Sequence, residues 1–244
     1  MKPFELPPSA KRWLFAFTHP DDEISIAAWI KRLTDAGAEV WVGWSVTDEV
    51  RAAEGKLVME RLGVSGDHLF FHGMPDKCAC DNLPKLTDLW AEAIQKARPE
   101  RIAVGAFECG HIDHDSTNYA IYRASESVIP IFEIPFYHTY LTRRPIINRF
   151  ADSDGQQILR LAKHEWKLKR RISKMYKSQN IGGLLVWYTL WGWANGRPPR
   201  LCRTERMRLQ THFDYFSPNL PELLRERVMQ SKTWRRWVQA IGGR

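Results

Sequence analysis

Cysteine is scarce in this 244-residue chain, which holds four, at positions 78, 80, 109 and 202. They are too few and too irregularly spaced for a disulfide framework. The pair Cys78-Ala-Cys80 has no second pair to complete a soft-metal site, so these read as reduced thiols of the kind a cytoplasmic protein carries. Long apolar runs are missing as well. No stretch reaches the roughly 18 uninterrupted apolar residues that a membrane span needs. The N-terminal "MKPFELPPSAKRW" has no apolar h-region, so no secretory signal is expected. Internal repeats and low-complexity tracts are absent. Acidic residues become rare late in the chain: residues 1–159 hold 17 Lys+Arg against 23 Asp+Glu, whereas residues 160–244 hold 19 against 5. The local balances of −6 and +14 lie hidden in a net charge of +8, and the basic third also carries six of the 11 tryptophans. Such a split points to an anionic partner for that part; a basic solvated surface is the plainer alternative.

What is present suits a soluble protein with a sizeable core, at 44% hydrophobic and 26% charged residues. "WLFAF" (13–17) reads as a buried strand, and a helix with apolar spacing follows over about 22–36, ended by Gly37. Strands are expected at 38–46, 68–72 and 101–107, with helices at 51–62 (closed by Gly63), 83–97 and 115–127. A fifth strand at 129–137 carries two prolines, which would hold it near a sheet edge. This alternation predicts an α/β fold, a Rossmann-like, doubly wound and mostly parallel sheet over residues 1–152. Residues 153–244 are expected to complete the same domain as a helical, basic, aromatic-rich C-terminal appendage, with a long basic helix over about 154–178.

In a doubly wound sheet of order 3-2-1-4, strands one and four are neighbours, and ligands bind beyond their carboxyl ends. Two clusters of ionisable residues stand at those ends: "THPDDE" (18–23) after strand one and "GHIDH" (110–114) after strand four. His19, Asp22 and His114 are residue types that together bind Zn²⁺, and three protein ligands leave a position for water, as in catalytic sites. Bound metal would lower that water's pKa toward ~7 and polarise a carbonyl. Asp21 then remains as a carboxylate without ligand duty, suited to take a proton. A protonated His111 would stabilise an oxyanion from the opposite side, and Asp113 would orient one of the imidazoles. Helix N-terminal acids complementing the macrodipole are the structural alternative for residues 21–23.

These motifs resemble the paired signatures of the LmbE-like, or GlcNAc-phosphatidylinositol de-N-acetylase (PIG-L), family, roughly A-H-P-D-D-E and G-H-P-D-H. The resemblance extends through "TDEVRAAE" (47–54) and, thinly, to "YKSQ" (176–179) and "ERMR" (205–208). It implies a zinc-dependent hydrolase that removes an N-acetyl group from an amino sugar, usually N-acetylglucosamine. On that resemblance His19, Asp22 and His114 would ligate zinc, with Fe²⁺ or another divalent ion as the alternative. Asp21 would be the general base, His111 the electrostatic catalyst with Asp113 as its partner, and Arg51 a contact for the sugar or its aglycone. Thr18 and Ile112 depart from the family's alanine and proline, the latter loosening the loop of His111. Cys109 stands where some members place a tyrosine, whose contribution would fall to Tyr137 or Tyr140.

Two other functions compete. A metal-dependent phosphoester hydrolase would use the same ligands but normally recruits a second metal and more carboxylates. A non-enzymatic nucleic-acid-binding protein would explain the pI of about 9.4, although no nucleic-acid motif is present. The segment 170–200 sets a Trp/Tyr/Leu-rich stretch between basic flanks and is too short to cross a bilayer. It is expected to make peripheral contact with an anionic membrane, at the inner face of a cytoplasmic protein's membrane, and to present a lipid- or diphosphate-linked substrate. Packing against the sheet, or lining a sugar cleft, are its alternatives.

Overall fold

The computed structural model describes residues 2–6, 8–126, 128–138, 146–194 and 203–242. Its centre is β1 (Arg12–Phe17), covered on both faces: Trp13, Phe15 and Phe17 enter one core layer, Leu14 and Ala16 the other. That two-faced burial is why "RWLFAF" shows no polar alternation. A 3₁₀ turn (Asp22–Ser25) and α1 (Ala27–Asp35) follow, then β2 (Glu39–Val46), α2 (Glu49–Leu62) and β3 (Leu69–Met74). Gly63 ends α2 in the left-handed conformation at φ 85°, as its sequence position predicts. The chain continues through α3 (Leu83–Ala97), β4 (Arg101–Gly105), α4 (Ile112–Ala124) and β5 (Ile131–Ile134). Helices α1 and α2 pack on the Trp13 face, and α3 and α4 on the Leu14 face.

Beyond β5 come a short hairpin of β6 (Tyr137–His138) and β7 (Ile146–Ile147), then β8 (Gln157–Arg160), α5 (Lys163–Ile172), α6 (Ile181–Ala194) and β9 (Thr204–Leu209). Helices α7 (Glu222–Met229) and α8 (Lys232–Ala240) close the described chain over a third apolar cluster around Phe107, Tyr215 and Trp237. The seven-stranded sheet runs β3-β2-β1-β4-β5-β9-β8, with β1 to β5 parallel and the last two strands antiparallel. The expected mostly parallel α/β sheet is therefore present, with β1 and β4 adjacent (Leu14↔Ile102).

Three expectations need correction. The long basic helix over 154–178 is a strand and a shorter helix: β8 pairs with β9 forty-odd residues later, and α5 begins where the Glu165 carboxylate accepts the Ala162 N–H at 2.7 Å. β5 is not an edge strand, because Pro130 and Pro135 bracket the four paired residues and remove no ladder donor. α4 starts three residues earlier than expected, on His111 itself, whose Nδ1 accepts the Asp113 N–H at 3.3 Å. Ile112 thus occupies the first helical position, where proline is favoured but not required, and the cap holds His111 in place.

Candidate metal centre

The sheet brings the two ionisable clusters together. His19 Nδ1 lies 3.3 Å from His114 Nε2, and Asp22 presents Oδ2 at 3.9 Å from the first ring and Oδ1 at 3.5 Å from the second. Their ligand atoms all fall within 4.8 Å of one another. Asp22 is aimed by the backbone: Thr18 N–H and His19 N–H donate to Oδ2 at 3.1 and 2.8 Å. A second grouping, His19 with His111 and Asp113, also lies within 4.8 Å. Both groupings use His19, so they are alternatives and not a two-metal pair. The proton assignment favours the first. His19 Nε2 faces Asp76 Oδ1 at 3.3 Å and Asp113 Oδ2 at 3.9 Å, which places the N–H there and turns the Nδ1 lone pair toward Asp22 and His114.

The electrostatics explain why so many charges can stand here. Burial lowers His19 to a pKa of about 4, assisted by His111, and pushes His114 well below its ordinary value, so both rings are neutral electron-pair donors. Burial raises Asp21 to about 7, with Glu23 adding to it, and burial also pushes Asp22 well above the usual carboxylate range, with Asp21 adding to that. Two neutral ring nitrogens and a carboxyl that burial hinders from ionising are a set that a divalent cation of the zinc class would complete, holding the carboxyl in its charged form, and the residues present fit that group.

Asp21 is strained as well as buried. Its φ of 130° is a conformation that residues with a Cβ avoid, and such outliers gather at functional sites. The surrounding structure over-determines it: Glu23 Oε2 accepts its N–H at 3.1 Å, and its carbonyl accepts from Ile24 N at 3.1 Å. Glu23 is a scaffold, not a helix-dipole acid. Its carboxylate also takes the Trp44 indole N–H at 3.2 Å and the Tyr176 hydroxyl.

His111 caps α4 on the far side of the cluster, with its ring centroid 5.3 Å from that of His19 and 5.0 Å from that of His114. The Asp113 carboxylate accepts Lys77 N–H at 2.6 Å and Ala79 N–H at 3.2 Å, tying the loop after β3 to the site while it faces His19. Arg51, in the first turn of α2, lines the same cleft of about 310 Å³ as His19, Asp21, Asp22 and His111. Thr18, the departure from alanine, donates to Thr117 at 3.0 Å, and Thr117 donates in turn to Ser45 at 2.8 Å, pinning the end of β1 to α4 and β2. Cys109 has its thiol raised well above the ordinary range by burial and by Asp115, which leaves it a packed side chain. Tyr140 and the side chain of Tyr137 lie outside the described residues.

Sequence reasoning missed three contributors. Asp76 sits in the loop after β3, and no motif singled it out. Phe136 lines the cleft and packs on His114, with ring centroids 5.1 Å apart. It can approach only because position 105 is glycine: a Cβ there would meet the ring at 2.5 Å. "YKSQ" forms the wall: Glu54 Oε1 accepts Lys177 and Ser178 N–H at 3.0 and 3.1 Å, and Gln179 faces the cleft. Its faint family likeness was the available signal. "ERMR" is structural, because Glu205 accepts Ala28 N–H and Trp29 N–H at 2.8 Å and pairs with the buried Lys169 at 2.9 Å, capping α1.

Comparison with known proteins places the chain's fold and its two motifs beside a known family. Residues 14–125 match the PIG-L family model, described as GlcNAc-PI de-N-acetylase, which bears out the resemblance drawn from "THPDDE" and "GHIDH". No curated protein matches the chain. Among solved structures, a triple mutant of a deacetylase of the teicoplanin biosynthetic pathway superposes with a TM-score of 0.64 at 16% identity, covering 83% of this chain and 99% of that one. The N,N'-diacetylchitobiose deacetylase of Pyrococcus horikoshii gives 0.53 at 18% identity over 83% of this chain and 84% of that one. The 4-carboxy-2-hydroxymuconate hydratase of Pseudomonas putida KT2440 gives 0.50 at 13% identity over 86% and 100%. At these identities the likeness is one of fold, and that fold carries more than one reaction.

Proposed function

We propose, from the PIG-L match over residues 14–125, that this protein is a metal-dependent hydrolase removing the N-acetyl group from an amino sugar of the N-acetylglucosamine type, with release of acetate. The observation that carries the reading is the convergence of His19, Asp22 and His114 in the cleft, with the strained Asp21 carboxylate beside them and outside the ligand set. Those three residues would hold the ion, zinc by preference, with Fe²⁺ or another divalent ion as the alternative because nitrogen and oxygen donors constrain metal identity loosely. When bound, the metal supplies Lewis acidity for a water and for the acetamide carbonyl.

The remaining work falls to the chain's own groups. Asp21 takes the proton of the attacking water and returns it to the departing amine. His111, held as the cap of α4, stabilises the oxyanion that develops on the acetamide oxygen. Asp113 keeps the 75–79 loop against the site and faces both His19 and His111. Arg51 meets the sugar or the group it carries, a lipid or diphosphate in this reading, and the cytoplasm is the location. Helices of the described residues include none long and apolar enough to cross a membrane. The phosphoester alternative is weakened because the two candidate groupings compete for His19.

An acetate-release screen over a panel of N-acetyl glycosides, with zinc and with chelator, tests the reading. Asp21→Asn should retain the metal and lose turnover by roughly 10²–10⁴-fold, whereas His114→Ala should lose both. Full activity in the metal-stripped protein would overturn it.

A further inference from the structure

A helix that is apolar on every side is normally buried, yet α6 is not. Its fourteen residues, "IGGLLVWYTLWGWA", include no charged side chain. Four large ones are open to solvent: Val186, Trp187, Leu190 and Trp193, the two tryptophans being 74% and 66% exposed. With about 100° of turn per residue, the four share an arc of about 120°. Contiguous exposed apolar surface of this kind marks an interaction site.

The charges beside α6 select the partner. Lys163, Lys167, Arg170, Arg171, Lys174 and Lys177 are all exposed on α5 and the link to α6. Between residues 163 and 194 there is one acid, Glu165, and Arg32 neutralises it through two hydrogen bonds. Strong uncompensated positive charge running straight into an uncharged Trp-bearing helix suits a surface that is negative outside and apolar a few ångströms in. Indole rings are stable at that boundary, and the helix is too short to go further.

We infer that α6 is an interfacial helix that seats this protein on an anionic lipid bilayer, with its Val186, Trp187, Leu190 and Trp193 face in the headgroup region and the α5 basic residues on the lipid phosphates. The docking stands apart from the deacetylase reading. That reading enters only in what docking would do: Ile181, the first residue of α6, lines the metal cleft, so the bilayer would lie at the cleft's rim.

The test is co-sedimentation of the full chain with phosphatidylcholine vesicles and with vesicles containing phosphatidylglycerol. Binding is expected only with the anionic vesicles and should fall steeply with salt. Each of Lys167→Gln, Arg170→Gln and Lys174→Gln should weaken it roughly fivefold. Trp187→Ser with Trp193→Ser should abolish it and remove the quenching of tryptophan emission by brominated lipid. Because these side chains are exposed, the variants should keep the wild-type melting temperature. Acetate release from a soluble glycoside is measured in parallel, so failure of the catalytic reading would not be mistaken for failure of docking. Equal recovery with neutral and anionic vesicles would overturn the inference. So would a concentration-dependent dimer without vesicle binding that the tryptophan substitutions dissolve, which would make a second copy the occupant of this face.

Discussion

The strain at Asp21 can be measured by comparing Asp21→Ala with Asp21→Gly. Both remove the carboxylate, so both should abolish turnover, and they differ by one methyl group. At φ 130° a Cβ is sterically penalised, by about 1–3 kcal/mol in comparable outliers. Glycine relieves that penalty but makes the unfolded chain more flexible, at a cost of about 0.5–1 kcal/mol. The glycine variant should therefore be the more stable of the two by roughly 0.5–2 kcal/mol. In a chain of this length that is a rise of about 1–8 °C in Tm. Thermal unfolding should be followed in chelator, so that differences in metal affinity do not enter the comparison. Hydrogen bonds from Asp21 N to Glu23 and from Ile24 N to the Asp21 carbonyl keep the loop in this conformation in both variants. An alanine variant as stable as the glycine variant would show that the backbone at residue 21 relaxes freely. Strain would then play no part in holding this carboxylate.

Tyr176→Phe removes the donor to Glu23 Oε1 and leaves a buried carboxylate oxygen without that partner, at a cost of about 1–3 kcal/mol; calorimetry should show a lower Tm and the acetate assay a reduced kcat. Gly105→Ala drives a Cβ into Phe136 and should cost about 1–3 kcal/mol, with metal affinity falling too, since Phe136 packs on His114; unchanged zinc binding would mean the ring moves elsewhere. Glu108 is fully buried, and burial raises it to about 8, against Ala151 N–H and Arg208, which lower it, with Glu133 and Asp152 nearby. Its folded pKa exceeds its unfolded one, so its contribution is fully present below about 4.5 and is lost as pH rises toward about 8. Glu108→Gln should flatten that decline and be the more stable protein above pH 8 in urea titrations, and parallel curves for the two would refute it.

The parallel half of the fold was legible because its signals are local. "WLFAF", the Gly63 stop and the 3.6-residue spacing of Ile26, Trp29, Ile30 and Leu33 each declare an element without reference to distant residues. The topology of that half then puts His19 beside His114 despite their separation in sequence. β8 and β9 were not legible: "QILR" becomes a strand only because "TERMRL" lies beside it, and that pairing crosses two helices. The basic residues after 160 look helical throughout because nothing local marks where the helix begins; the Glu165 carboxylate reaching back to Ala162 does so in space. At the site, the acids and histidines could be read from their types. Asp76, Phe136 and Tyr176 act through contacts that neither spacing nor residue type announces.

The cleft is assembled from two parts of this chain. His19, Asp21, Asp22, His111 and His114 belong to the βα units, each fixed by its own strand end or helix cap. The outer wall of the cleft is supplied later, by Phe136, Ile147, Gln179 and Ile181, and Glu54 fastens the last two of these through Lys177 and Ser178. Exchanging or lengthening the wall segments would reshape the cleft without altering the strand ends and helix cap that position His19, Asp22 and His114. Glu54, on α2, is then the side chain that ties this late wall to the βα core, so its loss would free the wall while leaving the metal-facing residues in place.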